Sequence, residues 1–322
     1  MNDSTGTVVE FQSDEGSGTA QGGLGSEALD RKPLNVRKRL EAMEEQAVSL
    51  TLPDLGPLES FEFLTLKIAA LLFLLGALVS LLFWFTRNKG IGYGSVIVTL
   101  IASIMLTVSL ALRYFSVGHL PYVQMYETYL FTAWAIAAIA VIADFWVSTR
   151  LPSTIANILV GLILVYVWTW PMGSREGQPL SAALQSPWLD VHIATAFLAY
   201  AGFAISAGAG IVYLFNRNDK VDELSYKLVA FAFPLLGMGI LLGAVWANAA
   251  WGRYWGWDPK ETAALVTWLV YAGYLHARLA HGWKGVRASI LNILGFLCVV
   301  FTWIGLNIVA RLVDLQTLHA YS

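Results

Sequence analysis

This chain of 322 residues has a single cysteine, Cys298, set within an apolar run, so it can hold no internal disulfide, CxxC redox pair or thiolate metal cluster. Charge is scarce as well. Only 13% of residues are charged, and the net charge of -2 gives no sign of a nucleic-acid partner. No P-loop, Rossmann fingerprint or HExxH is present, so nucleotide-driven and zinc-protease chemistries have no motif to rest on. The first sixty residues have no apolar core followed by a small-residue cleavage site, and they read as a polar tail rather than a signal peptide.

What the chain has instead is apolar length. With 57% hydrophobic residues and a mean hydropathy of +0.61, it reads as a polytopic membrane protein. Backbone polar groups find no water in lipid, so every spanning run must be a helix and the fold class is all-α. Eight runs are long enough: 66–85, 94–112, 128–147, 154–170, 189–215, 226–249, 262–280 and 288–309. The remainder divides into a tail over 1–60, with a possible surface helix at 35–50, and a transmembrane domain over 61–322.

Loop charges orient the spans. Alternate connections carry Arg87 and Lys89, then Arg150, then Arg217, Lys220 and Lys227, then Arg278, Lys284 and Arg287, a set that belongs on the cytoplasmic side. Asp54, Glu59 and Glu62 ahead of the first span agree. Both termini are then expected outside, together with 114–127, 171–188 and the segment 246–261.

That last segment, WANAAWGRYWGWDPKE, is the most distinctive stretch of the chain. It gathers Trp246, Trp251, Trp255 and Trp257 ahead of a helix start in which Asp258 caps, Pro259 takes the first helical position and Glu261 closes a capping box. Interfacial tryptophans form a belt in any membrane protein, but four indoles interleaved with glycines and two cations suit a wide, flat ligand. A porphyrin fits that description, its faces against indoles and its propionates on Arg253 and Lys260.

Ligands for a haem iron must come from five histidines. His192 opens the fifth span and His319 lies beyond the last, both at the depth of the tryptophan segment, as two axial imidazoles would be. His276 sits on the order of 22 Å below that face, where an ionisable side chain is a functional candidate. His281 reads as a solvated helix end, and His119 as a loop residue or a propionate neighbour.

At these residues the chain resembles the CcsA (ResC) family of cytochrome c biogenesis proteins, the membrane half of a system II cytochrome c synthase. WGRYWGWDPKE is similar to that family's tryptophan-rich WWD haem-handling signature, in which Trp251, Trp255, Trp257 and Asp258 would contact haem. GHLPYVQMYETYLF at 118–131, TWLVYAGYLHAR at 267–278 and LHAY at 318–321 extend the resemblance over most of 114–322. It implies that haem b is moved from the cytoplasmic side to the outer face and joined by thioether bonds to a CxxCH segment of apocytochrome c. His192 and His319 would be the outer axial ligands, His276 a transmembrane ligand, and a separate ResB/CcsB-like membrane protein the partner. The setting would be a bacterial cytoplasmic membrane, or a thylakoid membrane in a photosynthetic source. A CcmC-type exporter that hands haem to a chaperone, or a transporter of another flat aromatic substrate, are the competing readings.

Overall fold

The computed structural model describes residues 56–147, 149–169 and 180–312. The possible helix at 35–50 and His319 lie outside them. The elements are α1 (Gly56–Thr86), α2 (Lys89–Val117), α3 (Met125–Trp146), α4 (Leu151–Trp168), a short 3-10 turn (Ala182–Leu184), α5 (Pro187–Asn216), α6 (Asp219–Trp251), α7 (Pro259–Ala280) and α8 (Val286–Val300). A π-helical stretch, Phe301–Gly305, carries α8 into α9 (Leu306–Leu312).

Every expected span is helical, and the helices run longer than the apolar runs because the caps lie outside them. Asn88 and Asn218 start α2 and α6 by accepting from the amides of Gly90 and Lys220 at 2.8 and 2.9 Å. Gly118 and Gly252, with φ of 75° and 72°, end α2 and α6 in the left-handed region. α1 begins at Gly56, inside the stretch assigned to the polar tail. Among the described residues, seven helices are long and apolar enough to cross a membrane. α7 is helical over the expected length, but Lys260, Glu261, His276 and Arg278 dilute its apolar character.

Burial sorts the helices. The most apolar windows of α3, α4 and α5 are 67%, 61% and 67% buried, whereas those of α1, α2, α6 and the last helix are 28–33% buried. The first three are therefore the centre and the others present apolar faces outward. Side-chain hydrogen bonds join them. Asn157 of α4 receives Thr99 Oγ1 of α2 at 3.0 Å and donates to Ser80 of α1 at 3.2 Å. Asn292 of α8 donates to Ser206 of α5 and Ser225 of α6 at 2.8 and 2.9 Å. Such bonds contribute about 0.6 kcal/mol each in a membrane, enough to select one packing among apolar surfaces that otherwise slide.

Consecutive helices alternate in direction, so the connections fall at two ends. At the lower end, Arg150 lies over the Tyr93 ring at 4.8 Å. Arg278 meets both Asp222 carboxylate oxygens there at 2.8 Å, and the same carboxylate accepts the Gly285 amide. The basic connections share this end. At the upper end Glu62 is not a flanking charge as its position suggests. It is buried inside α1, where Tyr126 donates to it at 3.0 Å and Arg113 stands 3.7 Å away. Arg113 also binds Glu127 at 3.0 Å. Glu127 in turn accepts the amides of Val123 and Gln124, so this buried cluster shapes the 118–124 connection.

Candidate functional site

The upper end of α5 repeats its apolar and aromatic side chains at helical spacing. Leu189, Ile193, Ala196, Phe197 and Tyr200 share one face with His192. α6 faces them with Ile240, Gly243, Ala244 and Trp246. Between the two helices, under the tryptophan segment and beside α7 and the π-helical stretch, lies a cavity of about 1120 Å³ including its open mouth. Its lining is mostly apolar and aromatic with a few polar side chains, the character of a small-molecule or cofactor site.

His192 is fixed by α6. Its Nδ1 donates to the Gly239 carbonyl at 2.7 Å, which sets the tautomer with the lone pair on Nε2. Its ring lies 13° from parallel with the Trp246 indole, at a centroid distance of 6.2 Å. Gly243 makes this seat possible, because a Cβ there would stand 2.8 Å from the ring. An imidazole oriented by a backbone carbonyl is the usual arrangement of a histidine ligand. Among the described residues no three His, Cys, Asp or Glu side chains converge as a metal cage.

The four indoles do not make one flat array. Trp246 and Trp251 belong to the last turns of α6, and the connection proper is 252–258. Trp246 is buried, lines the cavity and donates to the Ala183 carbonyl at 2.9 Å. Trp251 braces it edge-on at 4.7 Å. Trp255 lines the cavity, while Trp257, held at a φ of 57°, turns outward and stands 89° from it. Asp258 and Glu261 form the expected capping box, and Glu261 also accepts the Gly256 amide at 2.8 Å, closing the connection onto α7.

The two cations separate. Lys260 lines the cavity and its Nζ donates to Asn307 Oδ1 at 3.3 Å. Arg253 is exposed, folds over Gly256 and does not line the cavity. His276 is also elsewhere. It lies one turn from the lower end of α7 on its outward face, with its ring edge-on to that of His281 at 5.1 Å. His119 is buried in the upper connection, its Nδ1 3.0 Å from the Leu120 carbonyl.

Sequence reasoning missed the residues that complete the cavity. Tyr122 comes from the 118–124 connection, where its hydroxyl donates to Asp190 two residues ahead of His192. Burial first, and then the Asp190 carboxylate, hold this phenol well above its ordinary pKa, so it stays a donor. Trp303, on the π-helical stretch, forms the floor with Phe197 and Tyr200, its ring 5.7 Å from Phe197. No local motif marks them; the sole signal is the GHLPYVQMYE segment around Tyr122.

Residues 122–313 match the family described as cytochrome c assembly protein. The chain is 34% identical over 293 residues to the cytochrome c biogenesis protein CcsA of Guillardia theta, a match covering 80% of this chain and 93% of that one. The chain belongs to the CcsA family of cytochrome c biogenesis proteins. CcsA of Prochlorococcus marinus (strain MIT 9303) is 31% identical over 305 residues, 80% of this chain and 95% of that one. CcsA of Chlamydomonas reinhardtii is 36% identical over 238 residues, 69% of this chain and 66% of that one. Among solved structures, the cytochrome c haem lyase CcmF aligns with a TM-score of 0.58 at 16% identity, over 77% of this chain and 51% of that one, a likeness of fold. As in its family, the chain is an integral membrane protein, and its cavity lies within the matched segment.

Proposed function

We propose that this CcsA-family chain receives haem b in the upper cavity and presents it for attachment to the CxxCH cysteines of apocytochrome c, as half of a system II synthase with a separate ResB/CcsB-like chain. The observation that carries this reading is His192, seated on Gly243, tied to the Gly239 carbonyl and facing an aromatic cavity. His319 is the proposed second axial ligand. Trp255 and Trp246 supply apolar walls, Lys260 is the proposed partner of a propionate, and the exposed Arg253 has the weaker claim. Trp251 and Asp258 support the wall and the helix start, and Trp257 faces outward.

The lower-end basic residues favour placing that end in the cytoplasm and the cavity on the outer side, where both termini would also lie. The membrane would be a bacterial cytoplasmic or a thylakoid one. His276, at the lower end, is the proposed site of haem entry, its second ligand coming from the partner chain. In the attachment itself each cysteine S–H adds across one vinyl group. An S–C bond forms, the vinyl π bond breaks and the proton ends on the neighbouring carbon, with no oxidant consumed. The residues of this chain orient the plate and exclude water while the thiols approach.

Co-expression with the partner and an apocytochrome tests the division of labour. His192→Ala and His319→Ala should each stop holocytochrome formation yet spare haem at the entry site, whereas His276→Ala should lower the haem that co-purifies with the complex. Full holocytochrome yield in His192→Ala would sink the reading. Full haem occupancy in His276→Ala would sink the entry site alone.

A further inference from the structure

Beneath the upper cavity lies a second one, of about 390 Å³ on the same measure, bounded by apolar side chains that include Ile136, Leu159, Ala204, Phe296 and Val299. The two share a pair of wall residues, Tyr200 and Trp303. Trp303 is therefore a partition with empty space on its far side. It stands in the middle of the π-helical stretch, and π-turns inside α-helices gather at functional sites. Its indole is buried in the core, with one long Nε1 hydrogen bond to Thr128 Oγ1 at 3.3 Å, a tilted contact with Tyr129 and an edge contact with Phe197.

Lys260, Glu261 and His192 come from the upper ends of their helices and Tyr122 from the upper connection, while the aromatic lining residues Phe197, Tyr200 and Trp303 of the floor lie deeper along theirs. An amphipathic plate with carboxylates at Lys260 turns hydrocarbon towards that floor. We propose that Trp303, with Tyr200, is the specificity-determining floor of the site: it admits a haem with small vinyl and methyl substituents and rejects one bearing a long hydrocarbon tail. The tail would need the volume of the lower cavity, which the indole closes. Rejection has a chemical use, since a haem with a tail in place of a vinyl group lacks one of the two acceptors for thioether bonds and would occupy the site to no purpose. This inference rests on the upper cavity being the haem site.

The test is an optical titration of the purified full-length protein with haem b and with a farnesyl-substituted haem. Wild type should bind haem b about tenfold or more tightly than the tailed haem, the discrimination typical of a well-shaped apolar pocket. In Trp303→Ala, where the two cavities merge, the two affinities should come together. Adding Ala204→Phe to Trp303→Ala refills the lower cavity and should restore the preference. A ratio of affinities is insensitive to partial loss of folded protein, and Trp303→Leu gives the same reading if the alanine variant is unstable. Equal affinities in wild type, or an unchanged ratio in both Trp303 variants, overturn the inference. If wild type binds no haem b, the failure lies with the site assignment instead.

Discussion

Gly243→Ala is the substitution that separates ligand placement from helix stability. In the interior of α6 an alanine should stabilise the helix by about 0.5–1 kcal/mol relative to glycine. The added Cβ, however, would stand 2.8 Å from both Cε1 and Nδ1 of His192. Ordinary contact begins near 3.4 Å, so the ring must retreat by several tenths of an ångström. A retreat of that size strains the 2.7 Å bond from Nδ1 to the Gly239 carbonyl. Loss of that bond costs about 0.5–1.5 kcal/mol in its own right. Loss of the group that orients a metal-bound histidine typically lowers metal affinity about 10–100-fold. The two stability effects nearly cancel, so the expected variant melts close to wild type in detergent, binds haem about 10–100-fold more weakly and shows a mixed-spin spectrum. Titration by absorbance and a melting curve on the same preparation measure both. Wild-type affinity with an unaltered low-spin spectrum would refute the proposed seat of His192.

Three further outcomes follow from other parts of the site. Lys260→Ala should weaken haem binding more than Arg253→Ala, because only Lys260 lines the cavity; equal losses in the two titrations would contradict the propionate assignment. Arg113→Ala leaves Glu62 and Glu127 buried without their cation, so it should destabilise by about 3–5 kcal/mol, read as a fall in melting temperature. The Tyr122 phenol has its folded-state pKa raised above the ordinary value of 10, by burial and Asp190. The stability it contributes is full below pH 10 and is lost as pH rises through the folded value. Tyr122→Phe should therefore lower stability at pH 7 and flatten the decline above pH 10, and an unchanged alkaline profile would dismiss the Tyr122–Asp190 bond.

Local chemistry was the legible part of this chain. The Asp258–Pro259–Glu261 helix start is written in adjacent residues and appears as a capping box. The spans are written in hydropathy, which the bilayer enforces helix by helix. The cavity is different, because Phe197, Gly243 and Trp303 look like unremarkable apolar residues until α5, α6 and the π-helical stretch close on one another. Glu62 misled for the same reason: a charge just ahead of a span reads as interfacial, yet it pairs with Arg113 inside the bundle. The tryptophan segment lay between these cases. Its indoles were visible in the sequence, but their directions depend on where α6 ends and on the positive φ of Trp257.

The most direct measurement is the optical spectrum of the purified protein, wild type beside His192→Ala, with haem added and excess removed. The expected wild type keeps stoichiometric haem with a Soret band and the visible bands of a low-spin, two-imidazole complex, and His192→Ala loses the low-spin features, which external imidazole partly restores. An identical low-spin spectrum in His192→Ala, or no retained haem in wild type, would contradict the assignment of this cavity as the haem site.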